Sequence, residues 1–311
     1  MVETVLALLN PENVRKYIDW ADEFNKPPDS PDASVLIVAY NTNWDLIDCL
    51  ESLKSQSFTN FETLLLDNGE NEKVLDELRG YQLRYFRLKE NYRPSLARNI
   101  GIAHARGEVV CFLDDDAIAH PDFVKNHVQA NQIVGVLGVR GKVLPKTNNI
   151  YNYLTQVNDL GEEVIPSYID LEGNASFARE TLLTVGGFTP QVFAGEGAEL
   201  SYRIFKYYGE ANGLVYWPGA IIYHDYSNNW RKYIKKTLRG ARTQSYLESL
   251  YPDFWEFIES YHPFPIAKLQ KPRLFHERLG LAIIRRAGRL TRTVGLAWYR
   301  RRASLEGYTF E

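Results

Sequence analysis

Four apolar runs of strand length, separated by helical patterns, constrain this chain more than any other feature. They cover residues 34–39, 61–66, 83–88 and 109–113 and are rich in β-branched, leucine and aromatic side chains. Between the first two, Leu46, Ile47, Leu50 and Leu53 share one helical face. A second helix is expected around 72–78. A third carries Leu96, Ile100 and Ala103, with Ser95 as its cap and Gly107 as its stop. Strands alternating with helices predict an α/β fold whose mostly parallel sheet is covered on both faces. In such sheets ligands bind beyond the carboxyl ends of the strands.

Each run ends in polar residues of a chemically useful kind. The first ends at Ala39-Tyr40-Asn41, the second at Asp67-Asn68-Gly69, the fourth at Asp114-Asp115-Asp116. Three adjacent carboxylates repel one another unless a cation sits among them. Carboxylate oxygens are hard ligands suited to Mg²⁺ or Mn²⁺, which bind through one or two carboxylates plus substrate phosphates.

Beyond residue 134 the chain is richer in loops. Val134 to Val139 reads as a further apolar run. A helix is expected over 179–185 before Gly186-Gly187-Phe188, and another opens at Gly195-Glu196-Gly197-Ala198-Glu199. Two short strands flank Pro218-Gly219, the second ending at His224. Residues 1–31 read as a helical preface closed by Pro27, Pro28 and Pro31, which no helix crosses. Domain boundaries are therefore expected at 1–31, 32–230 and 231–311.

In their order, these motifs resemble the inverting glycosyltransferases of family 2, over roughly residues 32–230. The fold this implies is of the GT-A type, with a Rossmann-like, mostly parallel sheet flanked by helices and helical extensions at both ends. The resemblance assigns the nucleoside to Ala39, Tyr40, Asn41 and Asp67, and the diphosphate to Arg98. Asp114 and Asp115 lie in the sugar-nucleotide site. Asp114, Asp116 and His224 are implied as metal ligands, with Mn²⁺ or Mg²⁺ as cofactor. The donor is then a nucleoside-diphosphate sugar, a UDP-sugar being favoured because Tyr40 and Asp67 suit uridine or thymidine. The acceptor is a glycan or a lipid-linked hydroxyl.

The chain departs from the family at Ala39, where a proline is usual, and at Glu70, where a serine is usual. The larger departure is Glu196-Gly197, where the family has a Glu-Asp pair whose Asp serves as base. Inverting transfer displaces the diphosphate directly by an acceptor hydroxyl, which needs a general base within hydrogen-bond reach. The negative charge that develops on the leaving diphosphate needs stabilisation. Glu196 is the first candidate base and Glu199 the second, although acids in the first turn of a helix also complement its dipole.

Composition excludes a disordered chain: of 311 residues 45% are hydrophobic and 24% charged. The net charge of −3 excludes a general polyanion binder, and no nucleic-acid motif is present. Charge is unevenly spread, however. From Lys268 to Arg302 eleven Lys and Arg face one acid, Glu277. Within it Leu279, Ile283, Ala287, Leu290, Val294 and Trp298 recur at helical spacing opposite Arg278, Arg285, Arg289 and Arg292. Such a helix either lies on an anionic membrane surface through 268–302 or packs its stripe on the domain. Between Asn229 and Tyr246 a second basic segment, with Lys236 and Arg239, reads as a solvated helix face that could also close over a diphosphate. Trp217 is a candidate for stacking on a sugar. Cys49 and Cys111 read as core thiols, and no signal peptide or membrane span is evident, so a cytoplasmic protein, peripheral at the inner face of the membrane, is expected. The competing readings are a sugar nucleotidyltransferase and a non-catalytic sugar-nucleotide-binding module, the latter motivated by Gly197.

Overall fold

A computed structural model describes residues 6–69, 71–154, 158–192, 194–209, 213–261 and 274–306. The four apolar runs become strands β2 (Ala33–Ala39), β3 (Phe61–Asp67), β4 (Leu83–Leu88) and β5 (Val109–Asp114). They lie parallel in the order β4-β3-β2-β5. Alternation along β2 divides its side chains between two layers. Val35 and Ile37 pack with Leu46, Cys49, Leu50 and Leu53 of helix α1 (Trp44–Lys54). Leu36 packs on the other face with Ala97 and Ile100 of helix α2 (Arg93–His104). Both faces are therefore dry, as continuous apolar strands require. Both cysteines are free and buried.

Beyond β5 the sheet becomes mixed. Strand β9 (Asn174–Ala178) runs antiparallel between β5 and β7 (Gly138–Leu144), and β10 (Leu214–Tyr223) lies parallel to β7. Strand β6 (Ile118–Ala119) closes that edge, and β8 (Ile165–Pro166) pairs with β10. The two strands expected around Pro218-Gly219 are one, β10, whose pairing with β7 shifts between Trp217 and Ile221. The proline has no N–H for a regular ladder, so an irregularity accommodates it. Val134 belongs to a connection and is fully exposed. The expected helices after residue 178 are α4 (Arg179–Val185) and α5 (Glu196–Tyr208); α3 (Phe123–Asn131) precedes them.

The preface is corrected. Helical turns cover Ala7–Leu9, Pro11–Val14 and Arg15–Tyr17, and residues Ile18–Phe24 then form strand β1, antiparallel to β4. Val14, Ile18 and Ala21 satisfy helical spacing, but the open edge of β4 offers a ladder of unpaired backbone groups. Trp20 and Phe24 pack their rings 5.1 and 5.8 Å from Tyr85, while Asp22 and Glu23 face solvent. Ser95 does not cap α2, which begins at Arg93; its hydroxyl donates to Val192 O at 3.1 Å.

The C-terminal helices are α6 (Trp230–Leu250), α7 (Phe254–Ser260) and α8 (Phe275–Glu306). Helix α8 lies along α6 at close range. A Cβ on Gly288 would stand 1.8 Å from the Tyr233 hydroxyl, so only glycine fits there. The stripe of α8 that faces the protein is Leu281, Ile284, Gly288 and Gly295. Leu279, Ile283, Leu290, Val294 and Trp298, read from sequence as the apolar face, are all more than half exposed. Lys268, Lys271 and Arg273 lie outside the described residues.

Candidate active site

Strand register builds the site. Val38 pairs with Asp114 and Ala39 with Asp67, so β2, β3 and β5 end level. Their following residues line a cavity of about 730 Å³ whose walls include Tyr40, Asn68, Arg98, Asp114 and Asp115. A second cavity, of about 880 Å³, lies between this edge and the C-terminal helices, with Tyr233, Arg285 and Arg289 in its wall. Asp114, Asp170, Glu172, Tyr226 and Lys236 line both.

The expected nucleoside residues divide into exposed and structural ones. Tyr40 is 48% exposed and presents its ring to the first cavity. Ala39 is fully buried and contributes backbone, its carbonyl accepting the Asn68 N–H at 2.8 Å. Asn41 turns the chain with φ of 53°, and its N–H donates to Gly69 O at 3.1 Å. Asp67 does not line either cavity. It accepts from the Tyr85 hydroxyl at 2.5 Å, Asn71 Nδ2 at 2.9 Å and the Gly69 N–H at 3.1 Å. With both oxygens accepting from the protein, it braces the loop after β3.

The acidic triplet takes three separate roles. Asp115 turns inward, accepting from the Tyr40 N–H at 3.1 Å and from the Thr42 hydroxyl. Burial lifts its pKa to about 7 against those two hydrogen bonds, and the Asp116 and Asp114 charges add to the rise. Asp116 Oδ1 lies 3.0 Å from His224 Nε2. Burial works against both charges of this pair, but the hydrogen bond and mutual attraction outweigh it. Asp116 is held below the usual carboxylate range and His224 above the usual imidazole value. Asp114 sits between the cavities. Lys236, its own pKa lowered by burial, puts a cation near Asp114 and Asp116.

Among the described residues no three His, Cys, Asp or Glu side chains stand together as a metal cage. The donor chemistry nevertheless fits a divalent ion. Asp116 and His224 already converge to 3.0 Å, with Asp114 on the same cavity wall, and Mn²⁺ or Mg²⁺ needs few protein ligands when phosphates supply the remainder.

Arg98 is no surface arginine. Its side chain is 11% exposed and lies 5.4 Å over the Phe188 ring. Its Nη1 has no hydrogen-bond partner among the described residues, and Glu196 Oε1 is 4.0 Å away. The neighbouring Asn99 fixes α2 to the Gly187-Phe188 turn, exchanging hydrogen bonds with the Phe188 backbone at 2.7 and 2.8 Å.

The two candidate bases part company. Glu196 lines the first cavity. Glu199 is fully buried and lines neither. It is paired with Arg203 at 2.8 and 2.9 Å and accepts from the Thr189 and Tyr251 hydroxyls. It therefore anchors α5 and has no oxygen free for a proton from an acceptor. Trp217 donates to Asn126 Oδ1 at 3.0 Å and lines neither cavity.

Two lining acids, Asp170 and Glu172, were not read as site residues from sequence, and two lining cations, Lys236 and Arg239, were read first as a solvated helix face. The first two precede β9. Because β9 runs antiparallel to β5, with Asn174 opposite Leu113, its beginning lies at the ligand edge. The search for polar residues after strands misses acids placed before one. The two cations belong to α6, whose basic periodicity was visible, but whose orientation was not.

Residues 34–183 match the model of the family described as glycosyl transferase family 2. The uncharacterized glycosyltransferase YfnE of Bacillus subtilis (strain 168) is 36% identical over 105 residues, 32% of this chain and 27% of YfnE. Glycosyltransferase AglE of Haloferax volcanii is 30% identical over 120 residues, 36% of this chain and 40% of AglE. The matches thus span less than half of these relatives. Among solved structures, the mannosyltransferase PcManGT of Pyrobaculum calidifontis, in complex with GDP-Man and Mn²⁺, superposes with a TM-score of 0.58 at 17% identity, covering 99% of this chain and 88% of that one. TarS residues 1–349 of S. aureus superpose with a TM-score of 0.51 at 15% identity, covering 90% and 97%. At these identities the likeness is one of fold, an α/β architecture with a helical C-terminal region.

Proposed function

From the premise that this chain belongs to glycosyl transferase family 2 through residues 34–183, we propose that it moves a sugar from a nucleoside diphosphate to an acceptor hydroxyl, with inversion at the anomeric carbon. The observation that carries this reading is Arg98. A buried guanidinium nitrogen that makes no hydrogen bond, with Glu196 Oε1 4.0 Å away, stands in the wall of a cavity rimmed by an exposed tyrosine and has donor capacity for an anion. A diphosphate satisfies it, with Lys236 and Arg239 on the opposing wall and the base on Tyr40. Asp114, Asp116 and His224 would hold Mn²⁺ or Mg²⁺. When bound, that cation neutralises charge on the leaving diphosphate. Lys236 and Arg98 supply the same kind of stabilisation from the protein itself.

The acceptor belongs in the second cavity, whose arginines 285 and 289 suit a phosphate-bearing molecule such as a lipid-linked glycan. The exposed apolar stripe of α8, edged by Arg278, Arg286 and Arg301, supports attachment to an anionic membrane surface, in the cytoplasm at its inner face. No helix among the described residues is long and apolar enough to cross a membrane.

The test is a thermal-shift and turnover screen with UDP- and GDP-sugars, with and without Mn²⁺. One donor at about 100 times its Kd should stabilise by about 2.7 kcal/mol. Slow release of nucleoside diphosphate should accompany it. No shift and no release with any donor would reject the proposal. Binding without release would favour the binding-module reading that Gly197 motivates.

A further inference from the structure

We propose that Glu172, on the loop entering β9, is the general base that deprotonates the acceptor, an inference that rests on the transferase reading above. Sequence resemblance directs attention to the head of α5, where Glu196 stands beside Gly197. The geometry points across the cleft instead.

Glu172 lies in the wall shared by the two cavities, whereas Glu196 lines the Tyr40 and Arg98 cavity alone and Glu199 lines neither. A base must reach both the acceptor and the space where the anomeric carbon is attacked, so the shared wall is its required place. Gly197 supplies the second argument. A Cβ there would stand 3.0 Å from Glu172 Oε1 and 2.7 Å from the Ile169 carbonyl. The loop 169–172 therefore fills the room that a side chain at 197 would need, and it fills it with a carboxylate. The Gly197 N–H, in the first turn of α5 and so without an intrahelical partner, donates to Glu172 Oε1 and fixes the orientation of the group.

Elimination gives the third argument. Asp115 is engaged by Tyr40 and Thr42, Asp116 by His224, and Asp170 by Arg140 at 2.9 Å. Glu196 is paired with the Arg98 cation at 4.0 Å and lines the first cavity alone. For Glu172, burial and then the Glu196 charge raise the pKa, while Arg98 and the Gly197 N–H oppose them. A raised proton affinity makes the ionised carboxylate a stronger proton acceptor.

In the step proposed, the acceptor O–H bond breaks and its proton passes to a Glu172 carboxylate oxygen. The acceptor oxygen forms its bond to the anomeric carbon as the bond from that carbon to the β-phosphate oxygen breaks. The bonding pair leaves with the nucleoside diphosphate.

The experiment compares the full-length wild type with Glu172→Gln and Glu172→Ala, using the donor found in the screen. Nucleotide affinity is measured by calorimetry alongside turnover. Glu172→Gln should lose at least about 100-fold in kcat, the low end for a general base, with nucleotide Kd within about threefold. Added formate, a small carboxylate, should restore at least about tenfold to Glu172→Ala, a rescue that a purely structural role for the residue does not provide. Glu172→Gln within about tenfold of wild type, or no formate rescue of a folded Glu172→Ala, would overturn the assignment. Should Glu172→Ala unfold, the rescue is read on Glu172→Gly; should Glu172→Gln unfold, the loss of turnover is read on Glu172→Ala. A wild type that neither binds nor turns over any donor would defeat the transferase reading itself, a different failure.

Discussion

Arg98 and Glu199 show how burial sorts residues that sequence spacing treats alike. The Arg98 guanidinium is held against Phe188 with one nitrogen that makes no hydrogen bond and only a 4.0 Å ion pair to Glu196, so it keeps donor capacity for an anion. Arg98→Ala should weaken nucleoside diphosphate binding by about 10- to 100-fold, the worth of one or two charge-assisted hydrogen bonds, as read by calorimetry. Arg98→Lys should recover little of this, because a single ammonium does not reproduce the planar fork. Glu199 is the opposite case. It lies inside the protein with Arg203, whose other donors reach the Val185 and Gly187 carbonyls. Glu199→Gln leaves the Arg203 charge buried and unneutralised. Denaturant unfolding should show a loss of about 3–5 kcal/mol, with nucleotide affinity of the folded fraction unchanged.

At the scale of elements, α8 carries two apolar stripes, and only one is used. Its packing face is built from Leu281, Ile284 and two glycines that let it approach α6. The other, Leu279, Ile283, Leu290, Val294 and Trp298, meets no neighbour among the described residues that buries it. Helical periodicity reports that a stripe exists and not which one the domain covers. Leu290→Glu with Val294→Glu should lower partitioning onto anionic phospholipid vesicles by at least about tenfold, since each side chain contributes about 1.5–3 kcal/mol when buried. The melting temperature should stay within about 2 °C, because neither residue packs on the fold. Sedimentation of vesicles measures this, and a wild type that fails to co-sediment would end the membrane idea.

For the whole molecule, the pH dependence of stability reports on groups sealed in the core. His127 of α3 is fully buried between Ser176, at 2.8 Å, and Asn174, at 3.0 Å, both on β9. Burial lowers its pKa to about 4, the hydrogen bond to Asn174 opposing. The unfolded chain takes up this proton near pH 6.5 and the folded chain only near pH 4. Stability from this group is therefore complete above pH 6.5 and falls as pH drops toward 4. Glu172 and Asp115, with raised pKa values, act in the opposite sense. The difference between wild type and His127→Gln isolates the histidine: between pH 7 and 5 the wild type should lose about 2 kcal/mol more, by chemical denaturation. The order of elements from residue 33 to 114 and the acidic triplet at its end were legible in the sequence. They rest on local periodicity and on the rule that a buried strand sheds its charges at its end. Four other matters depended on contacts between distant segments. These are the pairing of residues 18–24 with an open edge, the entry of α6 cations into the cleft, the burial of Glu199, and the arrival of Glu172 beside Gly197. An antiparallel strand reverses which of its ends meets the ligand, and a helix buries the face its neighbours cover; neither choice is written in the spacing of its residues.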